Sequence, residues 1–262
     1  MQLSFDLISD LHIETWPAFD WTYQATSPYC VVAGDVARDR NVLIDTLQHL
    51  SKCYQAVFYI DGNDEHRDYL DNLGASYHSL DRSLRNIKNL VYLQDNVVVV
   101  EGVAFVASNG WWCYDFDPHI DIEQAQAWHK DHSKITQADV DAILTMGCND
   151  AGYIANSVNK LQTHKDVKSI VMVTHTVPKA ELVSHDIELC GTYRFNLTGN
   201  EHMTMAFGAD TENKINTWCF GHYHRPIDRY IDGIRYVNNC RGRAGTDWCQ
   251  SVYYPKRITV DY

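Results

Sequence analysis

The chain has 262 residues, of which 45% are hydrophobic and 21% charged, the composition of an ordinary globular protein. Its formal net charge of −12 argues against broad, non-specific binding to nucleic acid, which relies on Lys and Arg to neutralise phosphates. No stretch stays apolar for the ~18 residues of a membrane span, and the opening MQLSFDLISDLH lacks the basic head and apolar run of a secretion signal.

Taken in chain order, LSFDLIS and YCVVAG read as strands. NVLIDTLQHLSKC then places Val42, Leu43, Thr46, Leu47 and Leu50 near one face, which predicts a helix. AVFYID is a third strand, residues 65–80 a helix, and NVVVV and VAFVAS two more strands. Residues 121–133 form the next expected helix. A longer one over 136–164 opens on Thr136 with Asp139 three residues on, the pattern of a capping box, and Gly147 and Gly152 are expected interruptions. SIVMVT, TWCFG, IRYVNN and RITVDY end the chain as strands. Runs such as VVAG and IVMVT suit strands buried on both faces. The order β-α-β-α, then mostly strands, predicts sheets sandwiched between helices in a single domain over 1–262. The eight cysteines include no C-x-x-C pair and several lie in apolar runs, so free thiols in a reducing, cytoplasmic compartment are expected.

Chemistry collects where these strands stop. LSFDLIS leads into Asp10 and His12, YCVVAG into Asp35, AVFYID into Asn63, SIVMVT into His175, and TWCFG into His222 and His224. In α/β sheets the carboxyl ends of strands are where binding crevices form. An i,i+2 pair in extended backbone points to one side, so Asp10 with His12, and His222 with His224, can each face one site. Imidazole and carboxylate are good ligands for divalent first-row metals. Two such ions ~3.5–4 Å apart can clamp a phosphoryl group.

The ordered blocks SDLH, AGDVA, GNDE, VTHT and GHYH span residues 9 to 224 and resemble those of the calcineurin-like metallophosphoesterases. NGWWCYDF is similar to the substrate-side loop of that family's small bacterial and phage members, and VNNCRGR to its tail motif. The resemblance implies a four-layer α-β-β-α sandwich, two mixed sheets flanked by helices, with a dinuclear site at the strand ends. It implies that Asp10, His12, Asp35 and His224 hold one metal and that Asp35, Asn63, His175 and His222 hold the second, with Asp35 bridging. The metals implied are Mn, Fe, Zn, Ni or Co, Mn being favoured. The implied activity is hydrolysis of a phosphate monoester, diester or nucleotide by hydroxide bridging the ions. The partner is then a phosphorylated small molecule, a nucleotide or a nucleic acid end. The alternative is a metal-binding scaffold of the same fold without turnover.

The sequence departs from the family at one position. Members normally read G-N-H-E or G-N-H-D, with the His acting as acid or orienting the phosphate, and here Asp64 stands in its place. An Asp beside two cations is ionised and a poor proton donor. Three readings follow: the substrates need little leaving-group protonation, His66 supplies the acid, or Asp64 is a silencing substitution. Other residues carry two readings each. Arg38 contacts phosphate or makes a surface salt bridge, and Asn109 contacts phosphate or caps a turn. Trp111 and Trp112 stack a base or pack the core. His185, Tyr193 and Arg194 form a substrate-selecting rim or an ordinary loop. Arg241 and Arg243 bind phosphate or brace the terminal sheet.

Overall fold

The computed structural model describes residues 1–246 and 249–262. β1 (Gln2–Ile8), β2 (Tyr29–Ala33), β3 (Ala56–Ile60) and the short β4 (Leu90–Tyr92) are joined in parallel, and β11 (Lys256–Asp261) closes the other edge against β1 in the antiparallel sense. The second sheet runs β5 (Asn96–Val100), β6 (Val103–Ala107), β7 (Ser169–Val173), β8 (Ile215–Phe220), β10 (Ile234–Asn238), β9 (Ile227–Ile231). Its inner four strands are parallel, and β5 and β9 are antiparallel edges. The apolar runs thus form buried parallel strands, as continuous Val/Ile/Phe segments must when both faces are covered.

Three apolar layers separate the four structural ones. Phe5, Leu7, Val31 and Phe58 of the first sheet meet Phe105, Val171, Val173 and Val237 of the second. Phe105 lies edge-on to Phe5, ring centres 5.3 Å apart. Leu43, Leu47 and Leu50 of α1 (Arg40–Cys53), with Leu80 and Leu84 of α2 (Leu73–Leu84), cover Val32, Val57 and Tyr59 on the first sheet's outer face. Ile154 and Val158 of α4 (Gln137–Gln162) cover Val106, Ile170, Met172 and Trp218 on the second, beside α5 (Met205–Ala209). This is the α-β-β-α sandwich expected from the sequence. α3 (Ile122–Ser133) lies outside it, packed with Trp112 and Tyr114.

Local expectations hold with three differences. The helix over 65–80 is a 3-10 segment, Asp64–Asn72, that kinks at Tyr69 before α2 begins, and Asn72 caps α2 through the Ala75 N–H. The edge strands β4 and β9 are additions: β4 is an apolar run of only three residues, LVY, and β9, IDRYI, is polar or exposed over its middle. The capping box of Thr136 and Asp139 is present, but α4 runs through both Gly147 and Gly152 without a break. The eight cysteines are unpaired; Cys148 and Cys190 are exposed rather than buried.

The two helical glycines differ in their surroundings. A Cβ on Gly147 would press into the Trp111 carbonyl oxygen and the Cys113 sulfur, whereas a Cβ on Gly152 meets nothing within 4 Å. Gly147 is therefore a point of close approach between helix and chain, and Gly152 only weakens the helix. Gly152→Ala should stabilise the protein by about 0.5–1 kcal/mol, the helix-propensity difference. Gly147→Ala should destabilise it by about 1–3 kcal/mol through overpacking. The midpoints of urea unfolding for the two variants should move in opposite directions.

Candidate metal centre

The strands of both sheets end on one side of the molecule, and their loops are tied together by backbone hydrogen bonds. Asp10 N–H donates to Gly34 O (2.9 Å), His12 N–H to Asp35 O (3.1 Å) and Gly221 N–H to His175 O (2.8 Å). Asp10, His12, Asp35 and His222 all have left-handed backbone, with φ of 51°, 41°, 51° and 63°. Such conformations are costly for residues with a Cβ and concentrate where a site over-determines them. The Asp10/His12 pair therefore converges through a left-handed turn, not through the extended alternation assumed from the spacing. His222 and His224 separate: they join different ligand groups.

Asp10, His12, Asp35 and His224 form one group able to hold a cation, and Asp35, His175 and His222 a second. Asp35 belongs to both. Its Oδ2 lies 3.8 Å from His12 Nε2 and its Oδ1 3.4 Å from His175 Nε2. His12 Nε2 and His224 Nε2 face each other at 3.0 Å, and His224 Nε2 is 3.4 Å from Asp10 Oδ1. Asn63 Oδ1 reaches the second group at 3.1 Å from His175 Nε2. On the far side of that group His222 Nε2 lies 3.0 Å from the Leu197 carbonyl and His175 Nδ1 3.0 Å from Ala33 O. A ring N–H on each of those nitrogens leaves His222 Nδ1 and His175 Nε2 with free lone pairs.

The electrostatics fit cations. Burial pushes Asp35 well above the usual carboxylate range, and the charges of Asp64, Glu65 and Asp10 add to it. Positive charge among these carboxylates relieves that repulsion. Burial also lowers His12 and His175, and lowers His222 to about 3, keeping the rings neutral as ligation requires. Asp10 Oδ2 is buried without a hydrogen-bond partner. The backbone is kept close by glycine: a Cβ on Gly34 (φ 83°) would strike the His175 ring, and one on Gly62 the Asp35 carboxylate.

Glu65 closes the GNDE block. Its buried carboxylate accepts from four backbone N–H groups: Asp35 (3.1 Å), Val36 (2.7 Å), Ala37 (3.2 Å) and Gly62 (2.7 Å). It joins the loop after β2 to the loop after β3. Burial pushes Glu65 up to about 8 against these donors.

Asp64 is buried beside the first group. Its Oδ2 pairs with Arg243 and lies 3.3 Å from His12 Nδ1, and its Oδ1 lies 3.5 Å from Arg67. Burial raises its pKa, but His12, Arg243 and Arg67 outweigh that and hold it below the carboxylate range. His66 does not reach the site. It is fully buried, with Nε2 2.9 Å from Asp61 Oδ2 and Nδ1 2.8 Å from the Ser76 hydroxyl. Two positions beyond Asp64 on a 3-10 turn, its ring packs against Tyr77 instead.

A cavity of about 690 Å³ opens onto Asp35, Asn63, His222 and His224. Arg67 and Arg243 line it near Asp64, and Trp112, Trp128 and His129 form an aromatic wall, with Arg194 and Arg225 at another edge. Trp112 stacks on His222 at 5.6 Å and 24°. Of the other substrate candidates, Trp111 also lines the cavity and the rest are placed elsewhere. Arg38 makes a bidentate pair with Asp68 on the surface. Asn109 is buried and donates to Asp61, and Trp111 is buried with its N–H on Tyr77. Tyr193 donates to Gln124, and His185 is exposed beside Arg229. Arg241 lies over the Trp16 ring at 4.0 Å. Trp128 and His129 gave no signal in the sequence because an aromatic on an amphipathic helix reads as packing.

No family model and no curated protein sequence matches the chain. Its fold does match solved structures. The phosphopantetheinyl hydrolase of Mycobacterium tuberculosis superposes with TM-score 0.69 at 18% identity, over 98% of this chain and 96% of that one. A structure assigned as a 5'-nucleotidase of Staphylococcus aureus gives 0.53 at 15%, over all of this chain and 51% of that one. The Plasmodium protein GAP50, described as an anchor in the inner membrane complex, gives 0.51 at 11%, over 98% and 81%. These likenesses establish a fold shared by hydrolases and by a protein described as an anchor. Among the described residues, no helix is long and apolar enough to cross a membrane.

Removing the Glu65 carboxylate would leave four buried donors without an acceptor, each costing about 1–3 kcal/mol where water cannot enter. Glu65→Ala should therefore lower the stability of the metal-free protein by about 3 kcal/mol or more. Urea unfolding of wild type and variant, both treated with chelator, measures it.

Proposed function

We propose that the chain, acting as one domain over its length, is a dinuclear-metal-dependent hydrolase of phosphate esters. The observation that carries this is Asp35, whose two oxygens face two different groups of imidazole and carboxylate ligands. Asp10, His12, Asp35 and His224 would hold one divalent cation, and Asp35, Asn63, His175 and His222 the other, Mn being the first candidate. Such a pair of ions supplies Lewis acidity toward a phosphoryl oxygen and a water acidified for attack. The protein's own groups do the rest. The Leu197 and Ala33 carbonyls orient His222 and His175. The Asp64 backbone N–H, 2.9 Å from Asp35 Oδ1, fixes the shared carboxylate. The cavity admits a ligand much larger than inorganic phosphate, in the range of ordinary small-molecule sites. A phosphorylated small molecule, a nucleotide or a nucleic acid end fits that size. Phosphopantetheinyl esters belong to the same class, by analogy with the Mycobacterium neighbour.

Two measurements test this. Elemental analysis after loading with Mn should give close to two ions per chain, with metal-dependent turnover of a generic aryl phosphodiester. Less than one ion, with Asp35→Ala unchanged, sinks the assignment.

The shared position of Asp35 also orders the variants. Asp35→Asn should lower both metal content and turnover more than His12→Ala, since His12 serves one group only. Equal, mild losses in the two variants would show that Asp35 does not bridge.

A further inference from the structure

Asp64 poses a question that the metal ligands do not answer: what does a buried carboxylate do beside a site for anionic substrates? Most of its neighbours are donors, the exception being Glu14, whose carboxylate lies with His12 and Asp64 in a third group of cation-ligand type. Oδ2 takes the Arg243 guanidinium and faces His12 Nδ1, while Oδ1 is approached by Arg67 and, at 3.3 Å, by the Asn63 side-chain amide. A protonated carboxyl would set its O–H against one of these N–H groups. The carboxylate is built in as an acceptor, and its main partner is Arg243.

Arg243 is also aimed by its backbone. The segment after β10 runs beside the end of β1: Arg241 N–H donates to Ser9 O (3.0 Å) and Gly242 N–H to Asp10 O (2.9 Å). Gly242 has φ 80°, and its carbonyl accepts the Trp16 indole N–H at 3.1 Å. At this left-handed position the neighbouring arginines diverge. Arg241 lies over Trp16, outside the large cavity, and Arg243 enters the cavity wall with Asp35, Asn63 and Asp64. Arg243 keeps about a third of its side chain exposed there. A guanidinium keeps free N–H donors after forming a pair with one carboxylate, because it has five.

We propose that Arg243 contacts the reacting phosphate at its departing oxygen, with Asp64 as the positioning residue that aims it, and that the site takes esters whose leaving group departs as an anion. This rests on the phosphoesterase reading above. A guanidinium stabilises negative charge but does not surrender its proton. In the step, a water oxygen forms a bond to phosphorus and the bond to the leaving oxygen breaks. The electron pair leaves with that oxygen, one water proton stays on the new phosphate and the other passes to solvent. The leaving oxygen receives no proton from the protein. Aryl esters and phosphoanhydrides meet this demand; alkyl and ribose esters do not.

The test uses the metal-loaded full chain. Turnover is measured on phosphodiesters of a series of substituted phenols, on a nucleoside diphosphate, and on a nucleoside 5'-monophosphate as the ribose ester. Binding of inorganic phosphate is measured separately by calorimetry, and metal content is counted in every protein. Arg243→Ala should weaken phosphate binding by about 10- to 100-fold, as expected for a charge-assisted contact. Its loss of rate should grow as the phenol becomes a poorer leaving group. Arg243→Lys should recover part of both effects with the metal count unchanged. The double variant Asp64→Asn/Arg243→Ala removes both charges of the pair and should reproduce Arg243→Ala, which separates function from folding. The aryl and anhydride arms decide which of the two leaving groups is preferred. An Arg243→Ala protein with wild-type phosphate affinity and leaving-group dependence overturns the role of Arg243. Wild-type turnover of the ribose ester matching the aryl ester overturns the substrate class. If no ester is hydrolysed, the phosphoesterase reading and the substrate class fail together, and phosphate binding still reads Arg243.

Discussion

The arrangement depends on one buried carboxylate. Glu65 collects four backbone N–H groups from two loops that no regular hydrogen-bond ladder joins. Buried N–H groups must find acceptors, and a single carboxylate with several lone pairs can serve a whole turn. With it in place, the chain after β2 is fixed against the chain after β3, and Asp35, Asn63 and Asp64 come to fixed positions. Burial already makes an ionised Asp35 costly, and the charges of Asp64 and Asp10 add to that cost. The same geometry that orders the loops thus creates a demand for cations.

A second network lies behind the first and keeps it from moving. Asp61 receives the Tyr92 hydroxyl at 2.5 Å and the Asn109 amide at 2.8 Å, and pairs with His66. Asp150 of α4 accepts from the Gly110 and Trp111 N–H groups at 2.8 and 3.0 Å, and burial pushes it up to about 7. These contacts join both sheets and α4 beneath the strand ends. Gly147 allows α4 to approach the Trp111 backbone closely enough for this. His66 and Asn109, which the sequence placed among the reacting residues, belong to this support. Buried hydrogen bonds of this kind hold a geometry.

Asp64 shows how charge balance settles what residue type alone leaves open. Alone, a carboxylate beside bound metal would repel a phosphate. Arg243 and Arg67 against it offset its charge, and the guanidinium of Arg243 lines the cavity. Its third neighbour, His12, is a ligand candidate whose Nδ1 lies 3.3 Å from Asp64 Oδ2 without forming a hydrogen bond.

Short-range rules make the strands, the helices and the residue types at the strand ends legible in the sequence, while the four-layer arrangement rested on the family resemblance. Apolar runs of a few residues make buried strands, Gly-Asp and Gly-Asn make turns, and a Thr with Asp three residues on caps a helix. All of these act within a few positions of the chain. The edge strands β4 and β9 escaped because one is only three residues long and the other mixes polar and apolar residues. Only the tertiary structure decided where side chains point and what neutralises them. His66 turns inward because Asp61 and Ser76 hold it there. Arg243 meets Asp64 from 179 positions away. Charge compensation acts through space, so sequence separation has no bearing on it, and local pattern cannot reveal it.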